Sequence, residues 1–239
     1  MVLLRSSLFL IYFMAATVII YLAAFPALVL PRHLMVHASR LWSRAILFGL
    51  KHIANLDYEV RGEVPKTPVL IASKHMSMWD TMALYLLVWD PAVVLKRELL
   101  YVPFYGWYIA KARVIAIDRG AHASALRRMA VAAKNALAHG RPILIFPEGT
   151  RKKPGAAPDY KPGVAGLYSL LGVPCVPVAL NSGLFWTGPM GFIKKPGRVV
   201  VEFLEAIPAG MNRADFLRLL VARIETATAR LVAEARQAH

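Results

Sequence analysis

The hydrophobic and polar positions divide the chain into an apolar N-terminal segment and a longer part in which short and long periodic stretches alternate. Residues 6–31 contain no Asp, Glu, Lys, Arg or His, and the run from Leu8 to Leu30 is almost entirely apolar. About 20 apolar residues suffice for a helix to cross the hydrocarbon core of a bilayer. A signal peptide would have a shorter apolar run and a small-residue cleavage site, which this segment does not show. The pattern therefore predicts a membrane-associated helix that Pro26 kinks or ends.

A second helix is predicted over roughly residues 33–55 from the spacing of its basic side chains. These recur three, four or seven residues apart and so share one face of a helix: they are His33, His37, Arg40, Arg44 and Lys51. Apolar side chains lie away from that face, namely Leu34, Leu41, Trp42, Ala45 and Phe48. A basic face opposite an apolar one favours a helix in the headgroup layer of a membrane, and a solvated face on a packed helix is the alternative.

Basic residues are more frequent after the apolar run than before it. Arg5 precedes the run, whereas Arg32, Arg40, Arg44 and Lys51 follow it. Because Lys and Arg are retained on the cytoplasmic side of membranes, we expect the rest of the chain to lie on the cytoplasmic face of the inner membrane.

After Tyr58, short β-branched runs alternate with longer helical stretches. We predict strands at residues 69–72, 93–95, 114–117, 143–146, 176–180 and 199–203, and helices at residues 78–88, 123–138, 163–171 and 213–236. This alternation is typical of an α/β fold with a largely parallel mixed sheet flanked by helices. We therefore expect N-terminal membrane-anchoring helices over residues 1–57 and an α/β domain over residues 58–239, with functional groups in loops at the carboxyl ends of the strands.

The composition narrows the class of protein. Hydrophobic residues make up 57% of the 239 residues and charged residues 18%, which is more apolar than an ordinary cytosolic enzyme. The formal net charge of +15 predicts an anionic partner: nucleic acid, acidic lipid headgroups or a phosphorylated substrate. Aromatic residues are not interleaved with the basic ones, which argues against nucleic acid. Cys175 is the single cysteine, so an internal disulfide is excluded, and no Cys/His cluster suggests zinc.

A candidate catalytic pair lies just after the first predicted strand of the α/β part. The segment His75-Met-Ser-Met-Trp-Asp80 has an H-x4-D spacing, and His52 and Asp57 form a second match that we interpret as coincidence. Ser77 and Asp80 also fit a helix N-cap and its capping-box partner. A carboxylate fixed there could hydrogen-bond the imidazole of His75, fix its tautomer and leave the other nitrogen free as a general base.

A candidate anion site follows another predicted strand, in the segment Phe146-Pro-Glu-Gly-Thr-Arg151. Gly149 allows close approach of the backbone to a ligand, and Arg151 offers a planar fork for a phosphate group. Arg119 follows the strand at residues 114–117 and is expected at the same edge of the sheet. The alternative is that both arginines cap surface structure.

Ser77 and Cys175 are weaker candidates as nucleophiles, because Ser77 is explained as a cap and Cys175 as a small buried side chain. GxGxxG, Walker A, HExxH and GxSxG motifs are absent.

Five segments in this order resemble the 1-acyl-glycerol-3-phosphate acyltransferases. They are KHMSMWD, KRELLYVPFYGW, VIAIDR, FPEGTR and VPVAL, and the resemblance spans roughly residues 60–205. Members of this family acylate lysophosphatidic acid to phosphatidic acid at a membrane surface. This chain departs from the common Asn-His-Gln-Ser start, since Lys74 and Met76 replace the two amides.

The resemblance implies a role for each matching residue. The catalytic pair falls on His75 and Asp80, with His75 as the general base. The family's Glu-Gly-Thr-Arg block corresponds to Glu148, Gly149, Thr150 and Arg151. This block and Arg119 are implied to hold the acceptor phosphate, with Lys96 and Lys161 assisting. Pro177 is implied to lie on the side of the site that binds the acyl chain. The implied partners are membrane lipids, lysophosphatidic acid, and acyl-CoA or acyl carrier protein as co-substrate, with no metal, no other cofactor and no nucleic acid.

Three alternatives remain open from the sequence. The first is a related O-acyltransferase with another lyso-lipid acceptor, such as a lyso-ornithine lipid. The second is a membrane-anchored basic nucleic-acid-binding protein. The third is a catalytically silent membrane scaffold, against which the intact His75, Asp80 and Arg151 argue.

Overall fold

The computed structural model describes residues 1–118, 122–187 and 191–237. Its helices are α1 (Val2–Ala24), α2 (Arg32–Ala54), α3 (Met78–Leu87), α4 (Tyr105–Lys111), α5 (His122–Ala138), α6 (Gly163–Leu171) and α7 (Arg213–Gln237). Its strands are β1 (Leu56–Arg61), β2 (Leu70–Ser73), β3 (Ala92–Lys96), β4 (Ile115–Ile117), β5 (Ile143–Ile145), β6 (Cys175–Leu180), β7 (Trp186–Thr187), β8 (Ile193–Lys194) and β9 (Gly197–Phe203).

Seven strands form one mixed sheet in the order β1-β9-β6-β2-β5-β3-β4. Neighbouring strands are parallel except β6 and β9, which pair antiparallel. Every residue of β2, β5 and β6 is buried, which explains why these strands are continuous apolar runs without alternation. The predicted α/β class and the mixed, largely parallel sheet are confirmed.

Each of the six predicted strands and four predicted helices of the α/β part is present, with ends that differ by at most two residues. Three features are additional: β1, α4 and the short hairpin of β7 and β8. The strand β1 is half-buried and carries charged residues, so it lacks the apolar run that marks the central strands. The domain boundary predicted after residue 57 falls inside β1.

The first two helices pack side by side. The indole N–H of Trp42 donates to Thr17 Oγ1 at 3.0 Å, and the Tyr12 hydroxyl donates to the carbonyl of Ala45 at 2.9 Å. Gly49 lets the Tyr12 ring approach closely, since a Cβ there would lie 2.2 Å from a ring carbon. These contacts make α1 and α2 a helical hairpin rather than two independent elements.

Both ends of α1 are also attached to the α/β part. Near its start, Ser6 Oγ accepts from the backbone N–H of Lys194 at 3.0 Å, and Phe9 packs edge-on against Trp186 with ring centroids 6.0 Å apart. Near its end, the rings of Tyr21 and Tyr108 are 4.5 Å apart. The opposite side of α1 is exposed and apolar: it carries Leu3, Leu4, Leu8, Ile11, Met14, Val18, Ile19 and Leu22.

By length and composition, the segment Val2–Leu28 is the one helical stretch of the described chain that could cross a membrane. As predicted, the helix changes at Pro26: α1 ends at Ala24 and a short 3-10 turn, Phe25–Leu28, follows.

The predicted separation of a basic and an apolar face on α2 is wrong, and α2 is a packed helix, which was the stated alternative. Its side opposite the basic face packs into the protein core, with Met35, Ile46 and Leu50 fully buried. The basic residues of α2 do not all face solvent. The Arg40 guanidinium donates to the carbonyls of Tyr85 (3.2 Å) and Val88 (3.1 Å) at the end of α3. The exposed stripe of α2 mixes basic and apolar side chains, namely His33, Leu34, His37, Leu41, Arg44, Phe48, Lys51 and His52.

Candidate functional site

The loop after β2 is shaped by the N-terminus of α3. Ser77 is the N-cap: its hydroxyl accepts from the backbone N–H of Trp79 at 3.2 Å. The Asp80 carboxylate closes the capping box by accepting from the N–H of Ser77 at 2.9 Å. The predicted cap is therefore confirmed, and it fixes a carboxylate in the first turn of the helix.

The same carboxylate binds the imidazole of His75. Asp80 Oδ2 lies 3.0 Å from His75 Nδ1 and also accepts from the N–H of Met76 at 2.6 Å. Asp80 is fully buried, whereas the His75 side chain is 13% exposed and lines a large cleft. With Nδ1 held by Asp80, Nε2 is the ring nitrogen that remains to accept a proton from a molecule in the cleft.

A further residue, which sequence reasoning missed, supports this pair. Ser182 follows β6, and its buried hydroxyl donates a hydrogen bond to Asp80 Oδ1. The Ser77 hydroxyl lies 2.8 Å from that of Ser182. The preceding Asn181 fixes the turn, because its side-chain oxygen accepts from Val200 N at 2.9 Å and its amide donates to the Leu231 carbonyl at 3.2 Å. The only sequence signal was a pair of polar residues directly after an apolar strand.

The loop after β5 brings the predicted anion-binding residues to the same edge. The Phe146 ring stacks on the His75 imidazole with centroids 4.1 Å apart. Gly149 has φ +67°, a left-handed conformation that favours glycine and turns the loop. Gly149, Thr150 and the exposed Arg151 line the cleft with His75, so the structure brings this part of the predicted site together.

Glu148 differs from its predicted role as a substrate contact. Its side chain is fully buried, and it pairs with the ammonium of Lys74, which is 1% exposed, at 2.9 Å. Lys74 also pairs with Glu225 of α7 at 2.7 Å, and the Tyr160 hydroxyl donates to that same carboxylate at 2.7 Å. Burial raises the pKa of Glu148, and the Lys74 ammonium opposes that rise. Glu148 thus belongs to a buried ion-pair network beneath the site.

The remaining predicted residues have different surroundings. Lys96 and Lys161 are exposed and line the cleft, and Lys161 pairs with Asp159 at 2.7 Å. Pro177 is buried in the middle of β6, paired in register with Ala72, and is not among the residues that line the cleft. Arg119 lies outside the described residues.

The cleft has a volume of about 2510 Å³ and two kinds of wall. One is apolar and includes side chains from α1, α2 and α3: Phe13, Val18, Tyr21, Leu22, Trp42, Met78 and Met82. The other carries cations: Lys96, Arg151, Lys152, Lys153, Lys161, Lys195, Arg213 and Arg236. Lys152 and Lys161 share Asp159, and both lower the pKa of that carboxyl to about 2. His75 therefore borders a cavity suited to a molecule with a long apolar part and an anionic part.

Cys175 and His52, the weaker candidates for catalytic residues, have structural surroundings that explain them. Cys175 is fully buried at the start of β6, where burial raises the pKa of its thiol, as expected for a structural cysteine. His52 is exposed on α2, and its ring centroid lies 4.2 Å from that of Phe48 with the rings at an angle of 44°. Within the described ranges, no group of three or more His, Cys, Asp or Glu side chains is placed to hold a metal ion.

The chain is similar in sequence to known acyltransferases. A family model described as Acyltransferase matches residues 55–181. A 1-acyl-sn-glycerol-3-phosphate acyltransferase of Pseudomonas aeruginosa is 39% identical over 70% of this chain and 66% of its own length. The alpha form of the enzyme from Mus musculus is 30% identical over 69% of this chain and 59% of its own length. The chain therefore matches a little under two thirds of these relatives.

A solved structure has the same fold. The crystal structure of the 1-acyl-sn-glycerophosphate acyltransferase from Thermotoga maritima superimposes with a TM-score of 0.78 over 97% of this chain and 98% of the other, at 19% identity. The family match begins at the start of β1 and ends just after β6, so it includes β2, β5, the loops that carry His75 and Arg151, and the first turn of α3 with Asp80. The chain belongs to the acyltransferase family.

Proposed function

We propose that this protein transfers a fatty acyl group from an acyl-thioester, acyl-CoA or acyl carrier protein, to the sn-2 hydroxyl of lysophosphatidic acid, giving phosphatidic acid. The observation that carries the proposal is the 3.0 Å contact between His75 Nδ1 and the buried Asp80, at the edge of a cleft with apolar and cationic walls. The names of the related proteins support the same acceptor.

The chemistry follows from the geometry of the pair. His75 Nε2 takes the proton of the acceptor hydroxyl as the oxygen attacks the thioester carbonyl. Asp80 accepts the Nδ1–H bond and stabilises the imidazolium that forms. The tetrahedral intermediate then breaks its C–S bond, and the imidazolium returns the proton to the departing thiolate. These steps need only the two side chains and the two substrates.

The walls of the cleft suggest where each part of the substrates binds. Arg151 is exposed beside His75 and can hold the acceptor phosphate through paired charge-assisted hydrogen bonds. The apolar wall from α1, α2 and α3 offers cover for acyl chains. Together they would place the sn-2 hydroxyl of the acceptor close to His75.

Membrane binding forms part of the proposal. The exposed side of α1 is apolar along most of its length, and a lipid bilayer would cover it. Since both ends of α1 are attached to the α/β part, we propose that the helix lies in the headgroup and acyl boundary of one leaflet rather than crossing the bilayer. The net charge of +15 favours the anionic, cytoplasmic leaflet of an inner membrane.

The direct test is thiol release from a series of acyl-thioesters, with the full chain and lysophosphatidic acid in vesicles. Release that depends on lysophosphatidic acid supports the proposal. Release with a lyso-ornithine lipid instead would assign the alternative acceptor. No release together with strongly salt-dependent DNA binding would favour the nucleic-acid alternative.

A first prediction concerns Arg151. Loss of a hydrogen bond to a charged group costs about 1.5–3 kcal/mol, so Arg151→Ala should lower kcat/KM for lysophosphatidic acid by roughly ten- to a hundredfold. Arg151→Lys should recover little, because lysine lacks the planar fork. Kinetics with lysophosphatidic acid and with a lyso-lipid that has no phosphate measure the effect.

Arg218, exposed on α7, gives the matched control, since Arg218→Ala removes the same charge away from the cleft. The phosphate-free acceptor should be poor for the unaltered protein and lose little more in Arg151→Ala. An equal loss for both acceptors would mean that Arg151 serves the donor or the fold instead.

A second prediction concerns α1. Ile11 and Ile19 are 67% and 65% exposed, so Ile11→Glu/Ile19→Glu should keep the packed side of the helix intact. A charged residue at the centre of a membrane helix costs about 2.5–3.5 kcal/mol, and even part of that cost should lower vesicle binding at least tenfold. Co-sedimentation with anionic vesicles at high salt measures it. Lys134→Glu on α5 is the control, and unchanged binding of the double variant would remove α1 as the main anchor.

A further inference from the structure

An exposed run of large apolar side chains precedes and begins α4. Tyr101, Val102 and Phe104 are 67%, 42% and 62% exposed, and Trp107 is 51% exposed. Pro103 is exposed as well. Contiguous exposed residues of this kind are unusual on a soluble surface and mark a contact with a partner or a lipid. We call these five residues the aromatic turn.

The backbone of the aromatic turn is built to expose Phe104. Phe104 has φ +62° and ψ −59°, and Tyr105 N donates to the carbonyl of Pro103 at 2.7 Å. This is the strained γ-turn geometry, which a phenylalanine adopts only when its surroundings enforce it. Gly106 allows the chain to pack closely here, because a Cβ there would lie 2.0 Å from the carbonyl oxygen of Leu100.

The aromatic turn lies next to the end of α1. The hydroxyl of Tyr108 on α4 donates to the carbonyl of Tyr21 at 2.5 Å, and its ring packs in one cluster with Ala24 and Ala27. Phe25 and Val29, which follow α1, are 55% and 87% exposed. The aromatic turn therefore continues the exposed apolar surface of α1 onto the α/β part.

Cations border this surface. Lys96 is exposed, and the Arg97 side chain is 54% exposed; its guanidinium lies 3.6 Å from Asp118 and 6.0 Å from the centroid of the Tyr101 ring. Aromatic rings together with Lys and Arg are the residues that bind the boundary between headgroups and acyl chains, especially in anionic membranes. The charge thus favours a phospholipid surface over a second copy of this cationic chain.

We propose that the aromatic turn inserts into the surface of an anionic phospholipid bilayer, beside the exposed side of α1. Pro103 and Phe104 line the cleft together with Leu22 and Phe25. A bilayer seated on both elements places this part of the cleft at the lipid, so a lyso-lipid acceptor reaches His75 without crossing water. That consequence rests on the proposed function, whereas the lipid contact itself does not.

The test measures whether the aromatic turn enters the bilayer, and it does not require acyl transfer. Cys175 is the single cysteine and is fully buried, so a thiol introduced by Val102→Cys can be labelled selectively with an environment-sensitive fluorophore. In the full chain bound to phosphatidylglycerol vesicles, we expect a blue shift and quenching by nitroxide-bearing lipids. Arg218→Cys on α7, with a side chain 82% exposed, carries the control label and should show neither.

Further variants test whether Phe104 and Trp107 are responsible for the insertion into the bilayer. Phe104→Ser/Trp107→Ser in the Val102→Cys chain should reduce the quenching several-fold, while a label at Ile11→Cys on α1 remains quenched. An unquenched Val102 label with a quenched Ile11 label would overturn the proposal. So would a blue shift that depends on protein concentration without lipid, which would assign the surface to a second copy. Neither result depends on acyl transfer, so the proposed function can fail or stand separately.

Discussion

His75→Ala should lower kcat for thiol release by about 10²–10⁴-fold, since that is the usual contribution of a positioned general base. The imidazole is 13% exposed at the edge of the cleft, and alanine leaves the helix cap of Ser77 and Asp80 in place. The fold should therefore persist, which circular dichroism and thermal unfolding can verify. Initial rates at saturating acceptor and donor give the effect on kcat.

Asp80→Asn tests the second member of the pair. An asparagine oxygen can still accept from the N–H groups of Met76 and Ser77, and the hydroxyls of Ser77 and Ser182 can turn to accept from its amide. The variant should fold but lose the charge that stabilises the imidazolium, so we expect a similar loss of about 10²–10⁴-fold.

His52→Ala is the matched control, because His52 and Asp57 have the same H-x4-D spacing. His52 is exposed on α2 and contacts Phe48, and Asp57 pairs with Lys51 at 2.8 Å. This variant should keep nearly full activity. An inactive His52→Ala beside an active His75→Ala would refute the assignment of the base.

Lys74→Met should have the largest effect on stability. Lys74 is 1% exposed and pairs with Glu148 and Glu225, so methionine leaves a fully buried carboxylate without its cation. Breaking a buried ion pair by removal of one partner costs about 3–5 kcal/mol. Denaturant unfolding of the full chain measures the loss. Activity should also fall, because Lys74 and Glu148 adjoin His75 and Gly149 in the two loops of the site.

Lys51→Met provides the same change in an exposed pair. The side chains of Lys51 and Asp57 are 54% and 39% exposed, and such surface pairs contribute about 0–1 kcal/mol. Lys74→Met/Glu148→Gln removes both charges of the fully buried pair, leaves the partly exposed Glu225 and should regain part of the loss. A Lys74→Met protein as stable as Lys51→Met would show that the buried network contributes little to stability.

The stability of Lys74→Met should depend on pH in a defined direction. Burial already raises the pKa of Glu148, and without the opposing Lys74 it should rise further. A carboxyl whose pKa is higher in the folded than in the unfolded state binds a proton more readily when folded, so stability falls as the pH rises through that range. The deficit relative to the unaltered protein should shrink as pH falls from about 8 to about 5.

Much of the fold could be read from the sequence because its central strands are buried on both faces. The runs at β2, β5 and β6 are continuous and apolar, and the helices between them are long and periodic. The strand β1 and the helix α4 escaped prediction since one is half-buried and the other is only seven residues long. The packing of α2 was only an alternative at the level of sequence, because spacing shows that a face is basic but not what covers the opposite one.

The sequence by itself determined the α/β class, the capped helix that follows His75, and the approach of His75 and Arg151 to one edge of the sheet. Those features depend on local spacing and on the rule that parallel strands present their carboxyl ends together. Tertiary structure alone decided that Ser182 contacts Asp80 and that Glu148 pairs with Lys74 in a buried network. It also decided that α1 is attached at both ends. Such partners come from segments up to 188 residues apart, and hydrogen bonds and charge burial between them leave no local pattern in the chain.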